Sequence, residues 1–157
     1  MNYPQDLNKS FMLEALAQAE LAFNNHEVPV GAIIVENGQI IARAYNQNLK
    51  LKDPTAHAEI LAIRQACQIK DSTKLNNCDI FITLEPCAMC LSAISYARIR
   101  RIYFGAYDQK FGAVESNPLF SLKDLAMFKS EIYSGINSQQ SINLLKKFFE
   151  LRRNNKT

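Results

Sequence analysis

The order of apolar and polar residues along the chain predicts an alternation of helices and strands. Residues 6–25 carry Met12, Leu16 and Phe23 at helical spacing, which indicates a helix with one apolar face. A second helix is expected from Asp53-Pro54 to about Ile69, because Asp is a frequent cap and Pro fits the first turn. Further helices are predicted after Cys87, over 118–128 and over 138–153. In the last of these, five apolar residues are expected to face the core: Ile142, Leu145, Phe148, Phe149 and Leu151.

Five apolar segments predict strands, over 28–36, 39–45, 79–84, 99–107 and, more weakly, 131–134. Asn37-Gly38 between the first two is a strong hairpin signal, so these strands should be antiparallel neighbours. The third and fourth strands flank the helix after Cys87, and such a strand–helix–strand unit should be parallel and right-handed. Loops are expected over 46–52, 70–78 and 109–117. The whole pattern predicts an α/β protein with a five-stranded mixed sheet and helices on both faces.

Length and composition are consistent with one globular domain over residues 1–157. Hydrophobic residues make up 48% of the chain, enough for a packed core and too many for a disordered protein. The net charge of +3 permits a nucleic-acid partner without requiring one. The polar N-terminus lacks a signal core, and no apolar segment approaches the roughly 20 residues that span a bilayer. We therefore expect a soluble intracellular protein, and the four cysteines suit a reducing environment.

Cys87 and Cys90 form a Cys-x-x-Cys pair where the third predicted strand leads into a helix. The N–H groups at a helix N-terminus favour thiolates, which are the metal-binding form of cysteine. His57, one of two histidines, is a candidate third ligand. One histidine and two cysteines leave a tetrahedral zinc ion with an open position, as in a catalytic rather than a structural site. Glu59 is then better placed as a proton carrier than as a fourth ligand.

The spacing of His57 and Glu59 constrains how they could share one site. Residues two apart are separated by about 200° around an ideal helix, so these side chains cannot project in parallel from it. They can serve one metal ion if they straddle the helix end, with the ion near the helix axis. The helix N-termini at His57 and at Cys87 would then point at the same ion.

Three other interpretations of the cysteine pair stay open. It could be a redox pair, although Pro would then usually lie between the cysteines and His57-Ala-Glu59 would be unexplained. It could be half of a four-cysteine structural zinc site, although Cys67 and Cys78 do not form a second Cys-x-x-Cys. It could also be buried and inert. The occurrence of two motifs in the right order, both at predicted helix starts, favours the catalytic zinc site.

The combination His-x-Glu…Pro-Cys-x-x-Cys is the signature of zinc-dependent nucleobase deaminases. Over nearly its whole length the chain resembles the bacterial tRNA-specific adenosine deaminases of the cytidine-deaminase-like superfamily. The resemblance is carried by EVPVGA (27–32), DPTAHAE (53–59), TLEPCAMC (83–90) and GAYDQKFGA (105–113). It implies a three-layer α/β/α cytidine-deaminase-like fold and conversion of the wobble adenosine of a tRNA anticodon loop to inosine, with release of ammonia. It also implies one Zn²⁺ per subunit, a homodimer and a cytoplasmic location.

The resemblance also assigns roles to individual residues. It implies three zinc ligands and a catalytic proton shuttle, namely His57, Cys87 and Cys90 for the zinc and Glu59 for the protons. Asn46 is expected to contact the purine, and Val28 and Pro29 to wall its pocket. Asp108 is a candidate for substrate binding, where its carboxylate would accept a hydrogen bond from a ribose 2′-OH. The alternative for Asp108 is a turn aspartate whose carboxylate accepts from nearby backbone N–H groups.

Basic and aromatic residues are candidates for holding the RNA. The basic ones follow the Cys87 helix or lie near the C-terminus: Arg98, Arg100, Arg101, Lys146, Lys147, Arg152, Arg153 and Lys156. As a group they are typical of a phosphate-binding edge, although each alone could be an ordinary solvated side chain. Lys110 is a further candidate for RNA binding. Tyr107 and Phe111 could stack on bases or could simply anchor their loop.

Two rival functions stay open. A deaminase of free bases or nucleotides, acting on guanine or cytosine, would share the zinc site and differ in the pocket and the C-terminal segment. A non-catalytic RNA-binding module stabilised by zinc is the other, and it would have no use for Glu59.

Overall fold

The computed structural model describes residues 2–117 and 127–156. The helices of this part of the chain are α1 (Gln5–Asn24), α2 (Asn48–Leu51), α3 (Ala58–Lys70), α4 (Ala88–Tyr96) and α5 (Ser138–Asn154). Its strands are β1 (Gly31–Glu36), β2 (Gln39–Tyr45), β3 (Cys78–Leu84), β4 (Arg101–Ala106) and β5 (Glu131–Tyr133). Residues 118–126 of the predicted helix 118–128 lie outside the described residues. Of the helices described, none is both long and apolar enough to cross a membrane.

The five strands form one sheet in the order β2-β1-β3-β4-β5. Strand β1 is antiparallel to β2 and β3, whereas β4 is parallel to β3 and β5. Asn37 and Gly38 both have positive φ, 49° and 76°, as a two-residue hairpin turn requires. The mixed sheet, the hairpin and the parallel β3–α4–β4 unit are therefore confirmed. Because β3 and β4 are parallel, the segments that follow them leave the sheet at the same edge.

Apolar side chains alternate between the two faces of the sheet. Ile33 and Phe81 belong to one cluster, which they form with residues of α1. Their neighbours Ile34 and Ile80 belong to a second cluster, which includes residues of α3 and α4. Helix α5 contacts α1 and β4. Helices therefore cover both faces, and the predicted three-layer α/β/α arrangement is confirmed.

Gly31 allows close contact between α1 and the start of β1. A Cβ atom added at Gly31 would lie 2.0 Å from the carbonyl oxygen of Ala15, so no larger residue fits without moving the helix. The Gly31 N–H also donates to Thr83 Oγ1 at 3.1 Å, which joins β1 to the end of β3. The segment that precedes Gly31 is thereby held beside the end of β3.

The chain before α3 differs from the prediction. The predicted loop 46–52 contains the short helix α2, and the predicted helix start at Asp53-Pro54 is wrong because α3 begins at Ala58. Asp53 Oδ1 instead accepts hydrogen bonds from the N–H (2.8 Å) and hydroxyl (2.7 Å) of Thr55, a local turn that competes with helix capping. Strands β1 and β4 also begin later than predicted, after residues whose backbones turn.

Helix α5 buries fewer apolar side chains than predicted. Phe148 is buried, whereas Phe149 and Leu151 are 46% and 47% exposed, so the expectation that both face the core is wrong. Consecutive helical residues point about 100° apart, and Phe148 and Phe149 therefore cannot both face the sheet.

Candidate active site

His57 and Cys87 each occupy the N-cap position of a helix, His57 before α3 and Cys87 before α4. Both have extended backbones, with φ −72° and ψ 153° at His57 and φ −74° and ψ 173° at Cys87. Neither side chain caps its own helix, so both are available to another partner. His57 thus lies just outside α3 and Glu59 just inside it, which confirms that the pair straddles a helix end.

The side chains of His57, Cys87 and Cys90 converge on one point. His57 Nδ1 lies 3.7 Å from Cys87 Sγ and 3.4 Å from Cys90 Sγ, and all three ligand atoms lie within 4.8 Å of one another. Among the described residues, His57, Cys87 and Cys90 are the one group of side chains that could hold a metal ion, and they are called the metal-type group below. The group does not include Cys67 or Cys78. One nitrogen and two sulfurs are a donor set that zinc prefers, with a fourth position left open. The group fits one Zn²⁺ per chain.

Hydrogen bonding within the group favours a thiolate on Cys87. A hydrogen bond from Cys90 lowers the pKa of Cys87 to about 4, an effect that burial opposes and the contact with His57 reinforces. The same pairing raises the pKa of Cys90, and hydrogen bonding to Cys87 raises the pKa of His57. Metal binding requires deprotonated ligands, and among the three residues Cys87 is the one whose pKa favours that form.

Glu59 lies in the first turn of α3 and is 4% exposed. Burial raises the pKa of Glu59 to about 7, although hydrogen bonding with Cys90 and the charge of His57 oppose the shift. A carboxyl group with a pKa near neutrality can both accept and release a proton at physiological pH. The position and the pKa of Glu59 therefore suit a proton shuttle.

A cavity of about 860 Å³ opens over these residues. Its floor contains His57, Glu59 and Cys87. Its walls come from two loops and α5, and they include Val28, Val30, Asn46, Asn48, Tyr107, Asp108, Gln109, Lys110, Phe111, Leu145 and Phe149. The cavity thus joins the metal-type group to the residues in which the sequence predicts substrate and RNA binding.

The segments before β1 and after β2 form one wall of the cavity, and one of the contacts predicted there is not found. Asn46 is buried and lines the cavity, as does Val28. The Val30 N–H donates to the Val28 carbonyl at 2.8 Å, so the chain turns at Pro29. Val28 and Val30 line the cavity as a result, and the buried Pro29 does not.

Sequence reasoning missed Glu27 and Asn48 on this wall. Buried Glu27 accepts hydrogen bonds from the N–H groups of Leu49 (3.2 Å) and Lys50 (2.8 Å), which anchors α2. Asn48 lines the cavity, and its buried Oδ1 atom has no hydrogen-bond partner in the part of the chain that the structure describes. A buried unpaired acceptor is costly, which makes Asn48 a candidate substrate contact. The polarity of 46–52 was the available signal for Asn48 and does not single it out, and no local pattern marks Glu27 as a buried acceptor.

The opposite wall contains the loop that follows β4. Asp108 Oδ1 accepts hydrogen bonds from the N–H groups of Lys110 and Phe111, both at 3.1 Å, so the turn role left open by the sequence is present. Asp108 also lines the cavity, and neither of these bonds uses Oδ2. The Tyr107 hydroxyl and Ser134 Oγ lie 2.9 Å apart, so Tyr107 anchors the loop while its half-exposed ring lines the cavity.

The cluster of basic residues after α4 is largely engaged in ion pairs. Arg100 makes two hydrogen bonds to the carboxylate of Asp79, at 3.0 and 2.8 Å. Arg101 is buried and pairs with Asp79 and Glu131. These pairs correct the expectation that Arg100 and Arg101 hold RNA. Arg98 is exposed just beyond the C-terminal end of α4, the end remote from the metal-type group.

Cationic and aromatic side chains do occur at the cavity. The Lys110 Nζ atom lies 5.1 Å from the centre of the Phe111 ring, and both residues line the cavity. Phe149 of α5 also lines it. Arg152 and Arg153 follow Phe149 by three and four residues and therefore continue the same helix face. Both arginines are exposed.

A three-layer fold with a histidine, two cysteines and a glutamate at two helix N-termini defines a class of zinc enzymes. Residues 5–106 match the family model described as the cytidine and deoxycytidylate deaminase zinc-binding region. This span contains all four of those residues. The chain belongs to this family of zinc-binding deaminases.

Individual relatives narrow the family. The chain is 49% identical over 141 residues to the tRNA-specific adenosine deaminase of Rickettsia bellii, with 88% of this chain and 97% of the relative covered. A solved structure from work on A-to-I editing by tRNA:A34 deaminases at the wobble position of transfer RNA has a TM-score of 0.79 and 44% identity, covering 87% of this chain and 99% of its own. The guanine deaminase of Bacillus subtilis has a TM-score of 0.61 and 38% identity, with 68% and 66% covered. Within the family, this chain groups with the tRNA-specific adenosine deaminases.

Proposed function

We propose that this protein hydrolytically deaminates the wobble adenosine of a tRNA anticodon loop to inosine and releases ammonia. The observation that carries the proposal is the group of His57, Cys87 and Cys90 beside buried Glu59, at the floor of one large cavity. It occurs in a chain that is 49% identical to a tRNA-specific adenosine deaminase. A cavity of about 860 Å³ has room for a nucleoside turned out of its stack.

Glu59 carries the protons in this reaction. His57, Cys87 and Cys90 would hold a zinc ion, which when bound would supply a Lewis acid that activates water at neutral pH. Glu59 accepts a proton from the attacking water while the water oxygen forms a bond to C6 of adenine. It gives this proton to the ring nitrogen N1, then takes the second proton from the hydroxyl group now on C6 and passes it to the amino group, so that the C6–N bond breaks and ammonia leaves.

The wall opposite the loop after β4 holds the base in this proposal. Asn46 offers an amide donor and acceptor from a buried position, and Val28 and Val30 provide apolar contact. Asn48 lines the same wall and offers a further amide group to the bound nucleotide. Together they would select a purine by shape and by hydrogen bonds while excluding water.

The RNA is held by the cavity mouth and by α5. Lys110, Arg152 and Arg153 place positive charge on the side where phosphates would approach, and exposed Phe111 offers a ring for base stacking. Bases of an anticodon loop are easily unstacked, so presenting the target base costs little. Arg98 lies just beyond the C-terminal end of α4, remote from the metal-type group, and its contact with RNA stays a prediction.

We also propose that the protein acts as a homodimer in the cytoplasm, as the resemblance implies. Large apolar side chains are exposed outside the cavity, among them Leu13, Leu21 and Tyr96. Burial of such side chains in an interface would stabilise a dimer. Light scattering of the zinc-loaded protein measures its mass directly, and a monomer at all accessible concentrations would exclude the dimer.

The direct test is mass analysis of nucleosides from RNA. The zinc-loaded protein is incubated with an anticodon stem-loop carrying adenosine at the wobble position, and the digested RNA is analysed for inosine. A stem-loop with the adenosine elsewhere in the loop and the Glu59→Ala protein are the controls. Inosine at the wobble position with wild-type protein alone is the expected result, and its absence would show the proposal to be wrong.

A deaminase of free bases is the second candidate, favoured by the similarity to the guanine deaminase of Bacillus subtilis. The same protein is therefore incubated with guanine, cytosine and adenosine, and released ammonia is measured. Ammonia from a free base without inosine in RNA would favour this candidate. RNA binding with neither product would favour the non-catalytic module.

A further inference from the structure

Glu85 is a buried carboxylate that the proposed reaction does not use. It directly follows β3 and is 3% exposed. Among the described residues, its hydrogen-bond donors all come from the loop 108–116. Oε1 accepts from the Asp108 N–H (3.2 Å) and the Ser116 hydroxyl, and Oε2 accepts from the N–H groups of Val114 (3.0 Å), Glu115 (2.8 Å) and Ser116 (3.0 Å). The Glu85 side chain therefore holds both ends of this loop through hydrogen bonds.

The loop 108–116 is also attached to the turn that carries Cys87. Gly112 forms an isolated antiparallel bridge with Cys87, and the Ala113 N–H donates to the Pro86 carbonyl at 2.9 Å. A Cβ atom at Gly112 would lie 2.4 Å from Glu85 Cδ, so the loop packs directly on the carboxylate. The cavity wall and the metal-ligand turn are thus joined through Glu85.

A carboxylate suits this set of donors better than any neutral side chain. It accepts hydrogen bonds on both oxygens, and bonds from N–H groups to an anion are roughly twice as strong as neutral ones. Burial raises the pKa of Glu85, but the hydrogen bonds from the loop outweigh burial and hold the pKa below its usual range. A glutamine would keep one oxygen and turn an NH₂ group towards the donors of the other.

We propose that Glu85 is a positioning residue for RNA binding, because its carboxylate holds the loop 108–116 in the conformation that presents Asp108, Lys110 and Phe111 at the cavity mouth. The inference rests on the proposed function. A loop ordered by an internal anion before RNA arrives loses little conformational entropy on binding. Glu85 itself does not touch the RNA in this role.

The first test compares two buried acids at opposite ends of β3, Asp79 near its start and Glu85 just after its end. In Glu85→Gln, KM for the anticodon stem-loop should rise about tenfold while kcat at saturation changes less than about threefold. Zinc should stay at one per chain. Asp79→Asn is the matched control, because Asp79 is equally buried at the start of β3 and pairs with Arg100 and Arg101. It should lower thermal stability and leave KM unchanged.

Hydrogen–deuterium exchange measures the protection of the backbone amides in the loop 108–116 independently of enzyme activity. The amides of Asp108, Val114, Glu115 and Ser116 should exchange faster in zinc-loaded Glu85→Gln than in wild type, and not faster in Asp79→Asn. Gly112→Ala is the second variant. It leaves the carboxylate intact and displaces the loop, so it should raise KM and speed exchange in the same way.

Each outcome decides something. An unchanged KM or unchanged amide exchange in Glu85→Gln overturns the positioning role. A loss of zinc, or a fall in kcat alone, also overturns it, because Glu85 would then support the metal site. If Glu85→Gln does not fold, Gly112→Ala decides by the same criteria. If wild-type protein makes no inosine, the proposed function fails, whereas exchange and stem-loop affinity still test Glu85.

Discussion

Two buried glutamates show how their surroundings set the chemistry of single residues. Glu59 and Glu85 are 4% and 3% exposed, and burial alone would raise the pKa of both. For Glu85 the hydrogen bonds from the loop 108–116 outweigh burial, so its pKa lies below the usual range. For Glu59 burial dominates and the pKa is about 7. Glu59 can therefore exchange protons near neutral pH, whereas Glu85 remains an anion.

Replacement of Glu59 by alanine should abolish nearly all turnover. Proton transfer by a positioned group contributes about 10²–10⁴-fold, and kcat on the stem-loop should fall by that factor. Zinc content and stem-loop affinity should be unchanged, since Glu59 is not among the ligand group. Glu14→Ala, which removes an exposed glutamate of α1, is the control. Near-normal turnover in Glu59→Ala would exclude the shuttle role.

Asp108→Asn should relax the preference for RNA over DNA. Asn keeps an acceptor oxygen for the N–H groups of Lys110 and Phe111, so the turn survives while the charge is lost. In wild type, Oδ2 would accept a ribose 2′-OH, whereas deoxyribose leaves an unpaired carboxylate close to phosphate. Deamination rates on matched RNA and DNA loops give the ratio. An unchanged ratio in the variant would assign Asp108 a turn role alone.

At the scale of elements, α5 combines packing against the core with the RNA contact proposed for its C-terminal end. Phe148 is buried, Phe149 lines the cavity, and the Arg152 guanidinium lies 5.5 Å from the centre of the Phe148 ring. The charged end of the helix is thereby held beside the apolar side chains. A helix face that begins at the cavity and ends in two arginines suits a phosphate backbone.

Neutralisation of Arg152 and Arg153 together should weaken RNA binding and flatten its salt dependence. Each lost phosphate contact lowers the slope of log affinity against log salt by about one unit. Stem-loop affinity is measured over a series of salt concentrations. The double change at Lys74 and Arg98 removes the same charge near the C-terminal end of α4 and tests the separate prediction for Arg98, since an unchanged slope would exclude RNA contact there. A lower slope in this second variant would instead indicate that RNA contacts Arg98. An unchanged slope after neutralisation of Arg152 and Arg153 would show that this end of α5 is ordinary solvated surface.

At the scale of the whole molecule, the metal-type group connects elements that the sheet brings together. His57 precedes α3 and Cys87 precedes α4, and both helices pack in the same apolar cluster. The turn before α4 also holds the cavity loop through Pro86 and Cys87. Zinc binding should therefore contribute to the stability of the fold as well as to catalysis.

Loss of a zinc ligand should lower both metal content and stability. Cys87→Ser and His57→Ala should lose zinc and at least about 3 kcal/mol of unfolding free energy, roughly 6–12 °C in Tm at this chain length. Elemental analysis and thermal denaturation measure the two effects. Cys67→Ser makes the same chemical change outside the ligand group and should keep one zinc per chain. Full zinc in Cys87→Ser or His57→Ala would make the ligand assignment wrong.

Features that depend on neighbouring residues were determined by the sequence itself. The Asn37-Gly38 turn and the order of the five strands are confirmed, and His57, Cys87 and Cys90 form the predicted metal-type group. Helix α2 was not predicted, and most of the helix predicted over 118–128 lies outside the described residues. Hydrophobic periodicity and turn chemistry act over a few residues, so they can be read without the fold. An aspartate such as Asp53 can cap a helix or stabilise a turn. The helix cap was predicted, whereas the Asp53 side chain stabilises a turn.

Pairings between distant parts of the chain were decided by the tertiary structure alone. Because β3 and β4 lie side by side, Asp79 forms ion pairs with Arg100 and Arg101. From the sequence, both arginines were expected to bind RNA. Glu85 is bonded to residues 23 to 31 positions away, and no local pattern marks it. A charged side chain is free or engaged according to which partners packing brings within hydrogen-bond distance. The chemistry of the site and some of its wall residues, such as Val28 and Asn46, were therefore readable from the sequence, and the hydrogen bonds that hold the cavity walls were not.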